Sequence, residues 1–173
     1  MQDYITTYTK KHFTIMEPKM VDIDINDIAH ALSLMTRANG HFSQFYSVGQ
    51  HSVGCAYEAL ERGYSARVVL GCLLHDGSEA YMADITRPLK QHMSAYLVAE
   101  EKLQNMIFEK FLGQCPSEEE MAQIKSVDDA MLFHEFKCFM NEELDIPEHE
   151  ILTRPAFSTK PFEDVEEDFL LMF

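Results

Sequence analysis

Apolar residues recur at helical spacing along most of the chain. Ile28, Ala31, Leu32 and Met35 fall at i, i+3, i+4 and i+7 behind Asp24 and Asn26, which are suited to capping, and predict a first helix. Val48, Ser52, Cys55 and Ala59 form a second stripe that runs to a stop signal at Gly63. Ser65 is placed to cap a third helix, Ala66 to Asp76, which is apolar on nearly every face and is therefore expected at the centre of the fold. Asp84 to Lys90 reads as a loop punctuated by Pro88. A long helix follows from about Ser94 to Leu112, with Tyr96, Ala99, Leu103, Met106, Ile107 and Phe111 toward the core and Gly113 and Pro116 as terminators. Ser117 and Glu120 have capping-box spacing, opening a helix striped by Met121, Ile124, Met131, Leu132, Phe136 and Phe139. The N-terminal TYTKKHFTIMEP suits a short hairpin or irregular backbone, and the proline- and aromatic-containing C-terminal segment carries no plain periodicity. The expected fold is an all-α, single-domain helical bundle, with a core from about residue 27 to 140 and a C-terminal extension packing on it.

Composition narrows the function more than the fold. A length of 173 residues, 46% hydrophobic and 25% charged, suits one folded domain. The longest apolar run, Val68 to Leu74, contains Gly71 and is far short of a membrane span, and the N-terminus lacks the apolar core of a signal peptide. Cys55, Cys72, Cys115 and Cys138 are widely spaced and form no CxxC pair, which favours free thiols in a reducing, cytoplasmic setting over disulfides or a zinc finger. A net charge of −15 argues against nucleic-acid binding. It leaves room for a small anionic ligand, because a metal and a few cations in a cleft reverse the field locally. The acidic excess lies mainly at Glu118 to Glu120, Glu142 to Glu150 and Glu163 to Asp168, and reads as solvated surface.

Two of the helical stripes are interrupted by residues that an ordinary core excludes. Asp128 lies on the face of Ile124, Met131 and Leu132, where a carboxylate is costly unless paired or bound to a metal. His51 breaks the Val48–Cys55 stripe in the same way, and His75 and Asp76 end the most apolar helix. Adjacent helical residues point about 100° apart, so His75 and Asp76 reach one ion only if it lies just beyond the helix end. Each residue also has an ordinary explanation: a hydrogen-bonded core histidine, a helix break capped by Asp128, or a pair with Lys125. Together, two histidines and two aspartates on three helices, all directed inward, form a ligand set suited to Mn, Fe, Co, Ni or Zn rather than Mg or Ca.

This arrangement of a histidine, an HD pair and a distant aspartate resembles the HD-domain superfamily of metal-dependent phosphohydrolases. The blocks IAHALSLMTRANGHFSQFYSVGQHS, CLLHDGSEAYMADITRPLK and IKSVDDAML are similar to the small bacterial HD hydrolases of the 5'-deoxynucleotidase type. The resemblance implies a helical HD domain, a divalent metal on His51, His75, Asp76 and Asp128, and hydrolysis of a phosphate ester, often of a nucleotide. It implies Glu79 and Asp84 as catalytic carboxylates and Arg37 as a phosphate-binding residue. His41 lies in the same block, as a phosphate contact or a loop buttress, and Arg87 and Lys90 are placed to assist Arg37. A homodimer is compatible with it. Physically, Glu79 follows Asp76 by one helical turn and can stand beside water whose pKa a metal has lowered.

The expected reaction is therefore release of phosphate from a nucleoside 5'-monophosphate. A deoxynucleoside triphosphate triphosphohydrolase on the same fold differs in its product, alarmone hydrolysis is a third reading, and a non-catalytic nucleotide-binding module differs in showing no turnover. The few cations around the motifs favour a monophosphate, and retention of all four ligands and Glu79 favours catalysis.

Overall fold

Local end signals set the helices of the computed structural model, which describes residues 3–145 and 150–173. Asp24 caps α1 (Ile25–Leu34) by accepting from the Asn26 N–H. Ser47 and Gln50 form a reciprocal capping box on α2 (Val48–Glu61). Ser65 accepts from Val68 N–H at the start of α3 (Ala66–Leu74). A one-turn helix α4 (Arg87–Lys90) and the long α5 (Ser94–Leu112) follow. The Ser117–Glu120 capping box then opens α6 (Glu118–Met140), and α7 (Phe162–Met172) ends the chain. Each such cap stabilises by about 1 kcal/mol. The described residues are thus mostly helical, an all-α bundle. Its one small sheet is the hairpin of β1 (Ile5–Thr6) and β2 (His12–Phe13), joined to α1 by Thr9, which donates through backbone and hydroxyl to Asp27.

α2 and α3 form the centre, with α1 and α7 on one side and α5 and α6 on the other. The core joins Ile28 and Leu32 of α1, Val48, Cys55 and Ala59 of α2, Val68, Cys72 and Leu73 of α3, Leu103 and Ile107 of α5, and Ile124, Val127 and Met131 of α6. α6 approaches its neighbours closely because two glycines face it. A Cβ on Gly71 meets Ile124 Cδ1 at 2.6 Å, and one on Gly54 meets Met131 Cε at 2.8 Å. Ile124 and Met131 lie on either side of Asp128, so these contacts press that stretch of α6 against α2 and α3.

Several expectations need correction. Arg87–Lys90 is helical rather than loop, because Pro88 stands at the start of the turn, where its fixed φ favours a helix. α3 stops at Leu74, leaving His75 as its cap and Asp76 at the head of the 3-10 turn Gly77–Ala80. Met121 is 41% exposed, since the first turn of α6 projects beyond its neighbours. On α5, Phe108 is buried, whereas Tyr96, Met106 and Phe111 are only half-buried. The uncalled C-terminal segment contains α7, whose Val165 and Phe169 are buried. Of the Glu142 to Glu150 acidic run, residues 146–149 lie outside the described residues.

The C-terminal segment is held by polar contacts as well as apolar ones. Glu58 of α2 accepts from Leu152 N–H at 3.0 Å, Thr153 N–H at 2.9 Å and the Thr153 hydroxyl at 2.7 Å, and pairs with Arg62 at 2.8 Å. Gln44 and Gln50 donate to the carbonyls of Phe157 and Ser158. Burial opposes the Glu58 charge, but these donors outweigh it and hold its pKa below the ordinary 4.5. Its contribution is then complete above pH 4.5 and is lost as pH falls through the lowered folded value. Glu58→Ala is expected to destabilise by about 1–3 kcal/mol, because the donors lose their acceptor. Hydrogen exchange at Leu152 and Thr153 is expected to speed up more in this variant than exchange in α3; uniform exchange would show that Glu58 is not the anchor.

Candidate metal centre

Three helices deliver one convergent group of donor atoms. His51 projects from the inner face of α2 and is fully buried; His75 and Asp76 come from the end of α3; Asp128 comes from the middle of α6. His51 Nε2 lies 3.2 Å from His75 Nε2, 3.2 Å from Asp128 Oδ1 and 4.0 Å from Asp76 Oδ2. His75 Nε2 lies 3.3 Å from Asp76 Oδ2 and 3.7 Å from Asp128 Oδ1. Ligands about 2.0–2.2 Å from one ion at tetrahedral angles stand about 3.3–3.6 Å apart. The four residues expected from the sequence are therefore brought together, with the carboxylate oxygens 3.2–4.0 Å from the two imidazole Nε2 atoms. Lys125 is not the partner of Asp128, since it pairs with Asp129 at 2.6 Å.

The far side of each imidazole is also committed. His51 Nδ1 donates to Glu135 Oε1 at 2.7 Å, and His75 Nδ1 donates to the Cys72 carbonyl at 2.7 Å. Both bonds put the ring proton on Nδ1 and direct the Nε2 lone pairs at the shared space, which is how ligating histidines are oriented. Glu135 is 0% exposed, and its other oxygen accepts from Arg37 Nε at 3.1 Å. Arg37 is buried as well, and its Nη1 lies 3.5 Å from Asp76 Oδ2.

These charges shift one another strongly. Burial alone lowers the His75 pKa, but the Asp76 and Asp128 carboxylates outweigh it and push it up to about 9. Burial and Arg37 both lower His51, and Glu135 and Asp128 more than reverse them. Burial raises Asp128, yet the two histidines hold it well below the usual carboxylate range. Glu135 is likewise raised by burial and held down by Arg37 and His51.

Cys55 enlarges the group. His51, Cys55 and His75 form a candidate metal-binding group whose ligand atoms lie within 4.8 Å of one another. Cys55 Sγ stands 3.4 Å from His51 Nε2 and 4.0 Å from Nδ1. A sulfur on the Nε2 lone-pair axis stands much farther from Nδ1 than from Nε2, so this thiol lies against the ring. Burial, and then the Asp128 carboxylate, raise its pKa well above the ordinary 9.0 and keep it protonated. In this arrangement the Cys55 sulfur is therefore off the His51 Nε2 lone-pair axis.

A cavity of about 460 Å³ opens beside Asp76 and Asp128. Arg37, Glu79, Asp84, Arg87 and Lys90 line it near these ligands, and Phe42, Ile85, Leu132 and Phe136 provide an apolar wall. Glu79 is 6% exposed, and its Oε2 is buried with no hydrogen-bond partner. Burial, followed by the Asp76 and Asp84 carboxylates, raises its pKa well above the ordinary value, against Lys90 and Arg37. Burial also raises Asp84, against Arg37. Arg87 donates to Asp128 Oδ2 at 3.0 Å and stands 3.4 Å from Asp129 Oδ1, while Lys90 contacts Glu100 at 2.7 Å and Glu79 at 3.7 Å. Both are ion-paired, Arg87 with its side chain 58% exposed and Lys90 half-buried. His41 is exposed at the end of the Arg37–Gly40 turn and does not line the cavity.

Glu135, Glu100 and Cys55 were not among the expected site residues. Glu135 follows Asp128 by seven residues and thus shares its helix face, and Cys55 follows His51 by four. Those spacings were the available signals. Glu100 had none, because its role depends on where α4 places Lys90.

No protein-family model matches the chain. It is 41% identical over 108 residues to the uncharacterized protein YfdR of Escherichia coli, an alignment covering 62% of this chain and 58% of the relative. It is 30% identical over 106 residues to an uncharacterized protein of Rhodobacter capsulatus, covering 58% of this chain and 54% of the relative. The chain therefore spans little more than half the length of these relatives.

Proposed function

We propose that this chain is an HD-type, divalent-metal-dependent phosphohydrolase acting on a small phosphate ester, best a nucleoside 5'-monophosphate. The observation that carries the reading is the convergence of His51, His75, Asp76 and Asp128 at one end of a cavity that is also lined by Arg37 and by Glu79, whose Oε2 has no hydrogen-bond partner. The donor set fits a cation. Asp76, Asp128 and Glu135 face one buried guanidinium, Arg37, and a divalent ion supplies the positive charge this group lacks. Mixed imidazole and carboxylate ligands favour Mn, Co, Fe, Ni or Zn. Free, largely buried thiols at Cys55 and Cys72 fit a reducing, cytoplasmic setting.

When bound, such an ion supplies Lewis acidity, lowering the pKa of water and polarising a phosphoryl oxygen. The protein's own groups do the rest. Glu79 lines the cavity beside Asp76 and takes the proton of the attacking water; burial and the neighbouring carboxylates raise its pKa, which makes it a stronger base than an ordinary carboxylate. Arg37 holds phosphate oxygens, with Arg87 and Lys90 at the rim and Asp84 as a second carboxylate. Phe42, Leu132 and Phe136 exclude water around the leaving group, which strengthens each of these electrostatic contacts. A monophosphate suits the site better than a triphosphate, because Arg37, Arg87 and Lys90 are each already engaged by a carboxylate.

Metal-loaded protein incubated with nucleoside mono- and triphosphates is expected to release inorganic phosphate from the monophosphates. Release of triphosphate indicates the triphosphohydrolase alternative, and binding without turnover indicates a regulatory module. Elemental analysis of Asp128→Ala should show loss of the metal, whereas Cys55→Ala should retain it; the reverse pattern would move the ligand set to His51, Cys55 and His75. Glu79→Gln is expected to keep fold and metal but lose turnover by about 10²- to 10⁴-fold. Full turnover at full metal occupancy would transfer the role to Asp84.

A further inference from the structure

We infer that Glu135 joins the metal ligands and the anion-binding guanidinium into one cooperative unit, acting as a positioning residue for both. The inference rests on the reading of His51 as a ligand and Arg37 as the phosphate-holding residue. Its basis is one fully buried carboxylate with both oxygens used in different directions: Oε1 on His51 Nδ1 at 2.7 Å and Oε2 on Arg37 Nε at 3.1 Å. Glu135 is fixed by its place on α6, two turns beyond Asp128, so the helix that supplies a ligand also aligns a second ligand and the guanidinium.

The two arms converge again at Asp76. Arg37 Nη1 lies 3.5 Å from Asp76 Oδ2, the same oxygen that faces His75 Nε2 at 3.3 Å and His51 Nε2 at 4.0 Å. Arg37, Glu135, His51 and Asp76 thereby form a closed ring of contacts. Commitment of Asp76 Oδ2 to a cation releases Arg37 Nη1 toward the cavity that Arg37 already lines, while Glu135 keeps the guanidinium plane in place through Nε. An anion drawn onto Arg37 in turn withdraws that guanidinium from Asp76 and leaves its oxygen to the cation. Metal and phosphate then each raise the other's affinity by the same factor, as linkage requires. A merely structural ion pair between the Arg37 loop and α6 predicts no such coupling.

The test needs no turnover. Metal-free protein is titrated with Mn²⁺, and inorganic phosphate is titrated into metal-free and Mn²⁺-saturated protein, by calorimetry. Glu135→Gln is expected to weaken Mn²⁺ binding by about 10- to 100-fold. It should also weaken phosphate binding at saturating Mn²⁺ and shrink the enhancement that Mn²⁺ confers on phosphate. The downfield Nδ1-bound proton of His51 should shift in the nuclear magnetic resonance spectrum. Arg37→Gln, which removes the guanidinium that competes for Asp76 Oδ2, should change Mn²⁺ affinity by a different factor in the wild-type background than in Glu135→Gln; an equal effect in both overturns the coupling. So does Mn²⁺ affinity within about twofold of wild type in Glu135→Gln, or an unchanged phosphate affinity at saturating metal. If Glu135→Gln does not fold, Glu135→Asp keeps the charge but is too short to hold both partners, and the same losses are expected and the same unchanged values overturn the inference. Wild-type protein that binds neither probe sinks the hydrolase reading together with the coupling. Wild-type protein that binds both, with Glu135 variants unaffected, sinks the coupling alone.

Discussion

Asp76, Asp128 and Glu135 crowd into the junction of α2, α3 and α6, with Glu79 and Asp84 close by, and this concentration of negative charge constrains the rest of the site. Carboxylates taken out of water are costly unless each is paired and hydrogen-bonded. The junction meets that demand with every cation in reach. Arg37 is enclosed against Glu135, Arg87 spans Asp128 and Asp129, and Lys90 stands between Glu79 and Glu100. The imidazoles of His51 and His75 are driven toward protonation for the same reason. The same concentration of negative charge that recruits protons and guanidinium groups is what the proposed divalent ion would meet.

Such a junction forms only if the surrounding core is rigid enough to hold it. Ile124 over Gly71 and Met131 over Gly54 fix α6 one turn before and one turn after Asp128, so the carboxylate cannot withdraw from the histidines without opening apolar contacts on both sides. Arg67 adds a polar clamp, reaching Glu120 on α6 and the carbonyls of Leu112, Gln114 and Cys115 in the α5–α6 connection. On the opposite side, the aromatic group of Phe42, Tyr46 and Phe139 packs with Phe136 and Phe157, tying the cavity wall to the C-terminal segment that Glu58 anchors. Packing thus supplies the geometry, and the ion pairs supply the specificity of which groups face which.

The parts of this architecture legible in the sequence are those encoded locally. Caps and stop signals occupy a few neighbouring residues, so α3 begins after Ser65, α5 runs from Ser94 to Leu112, and α6 opens on Ser117 as the spacing predicts. The ligands were visible because a charged or polar residue on an apolar stripe is anomalous without any knowledge of the fold. Glu135 escaped because α6 is amphipathic only in part. Its stripe already contains Asp128, and a second carboxylate there reads as solvated surface until the position of His51 is known. Cys55 passed as a hydrophobe for the complementary reason, since a thiol does not interrupt an apolar stripe. Met121 failed in the other direction: periodicity shows which face a residue occupies, not whether a neighbouring helix extends far enough to cover it. The roles of Arg87 and Lys90 depend on α4, one turn long, which carries too few residues to show a period at all.

A chain of net charge −15 repels phosphate at long range, so the attraction the proposed function requires must be local. The cavity meets this requirement through its walls as much as its charges. Phe42, Ile85, Leu132 and Phe136 line the wall of the cavity that the buried Arg37 also lines, and a lower effective dielectric there strengthens its contacts at close range. Beyond about 8 Å, physiological salt screens the acidic exterior, so the surface charge interferes little with capture at the site. An acidic surface and a cavity that places Arg37, Arg87 and Lys90 among its carboxylates are then compatible demands on one sequence: carboxylates far from the cavity act weakly and are free to accumulate, whereas those within it stand beside cations. Two carboxylates of the cavity, Glu79 and Asp128, are accordingly shifted in opposite directions, one raised by burial among like charges and the other held down by two histidines.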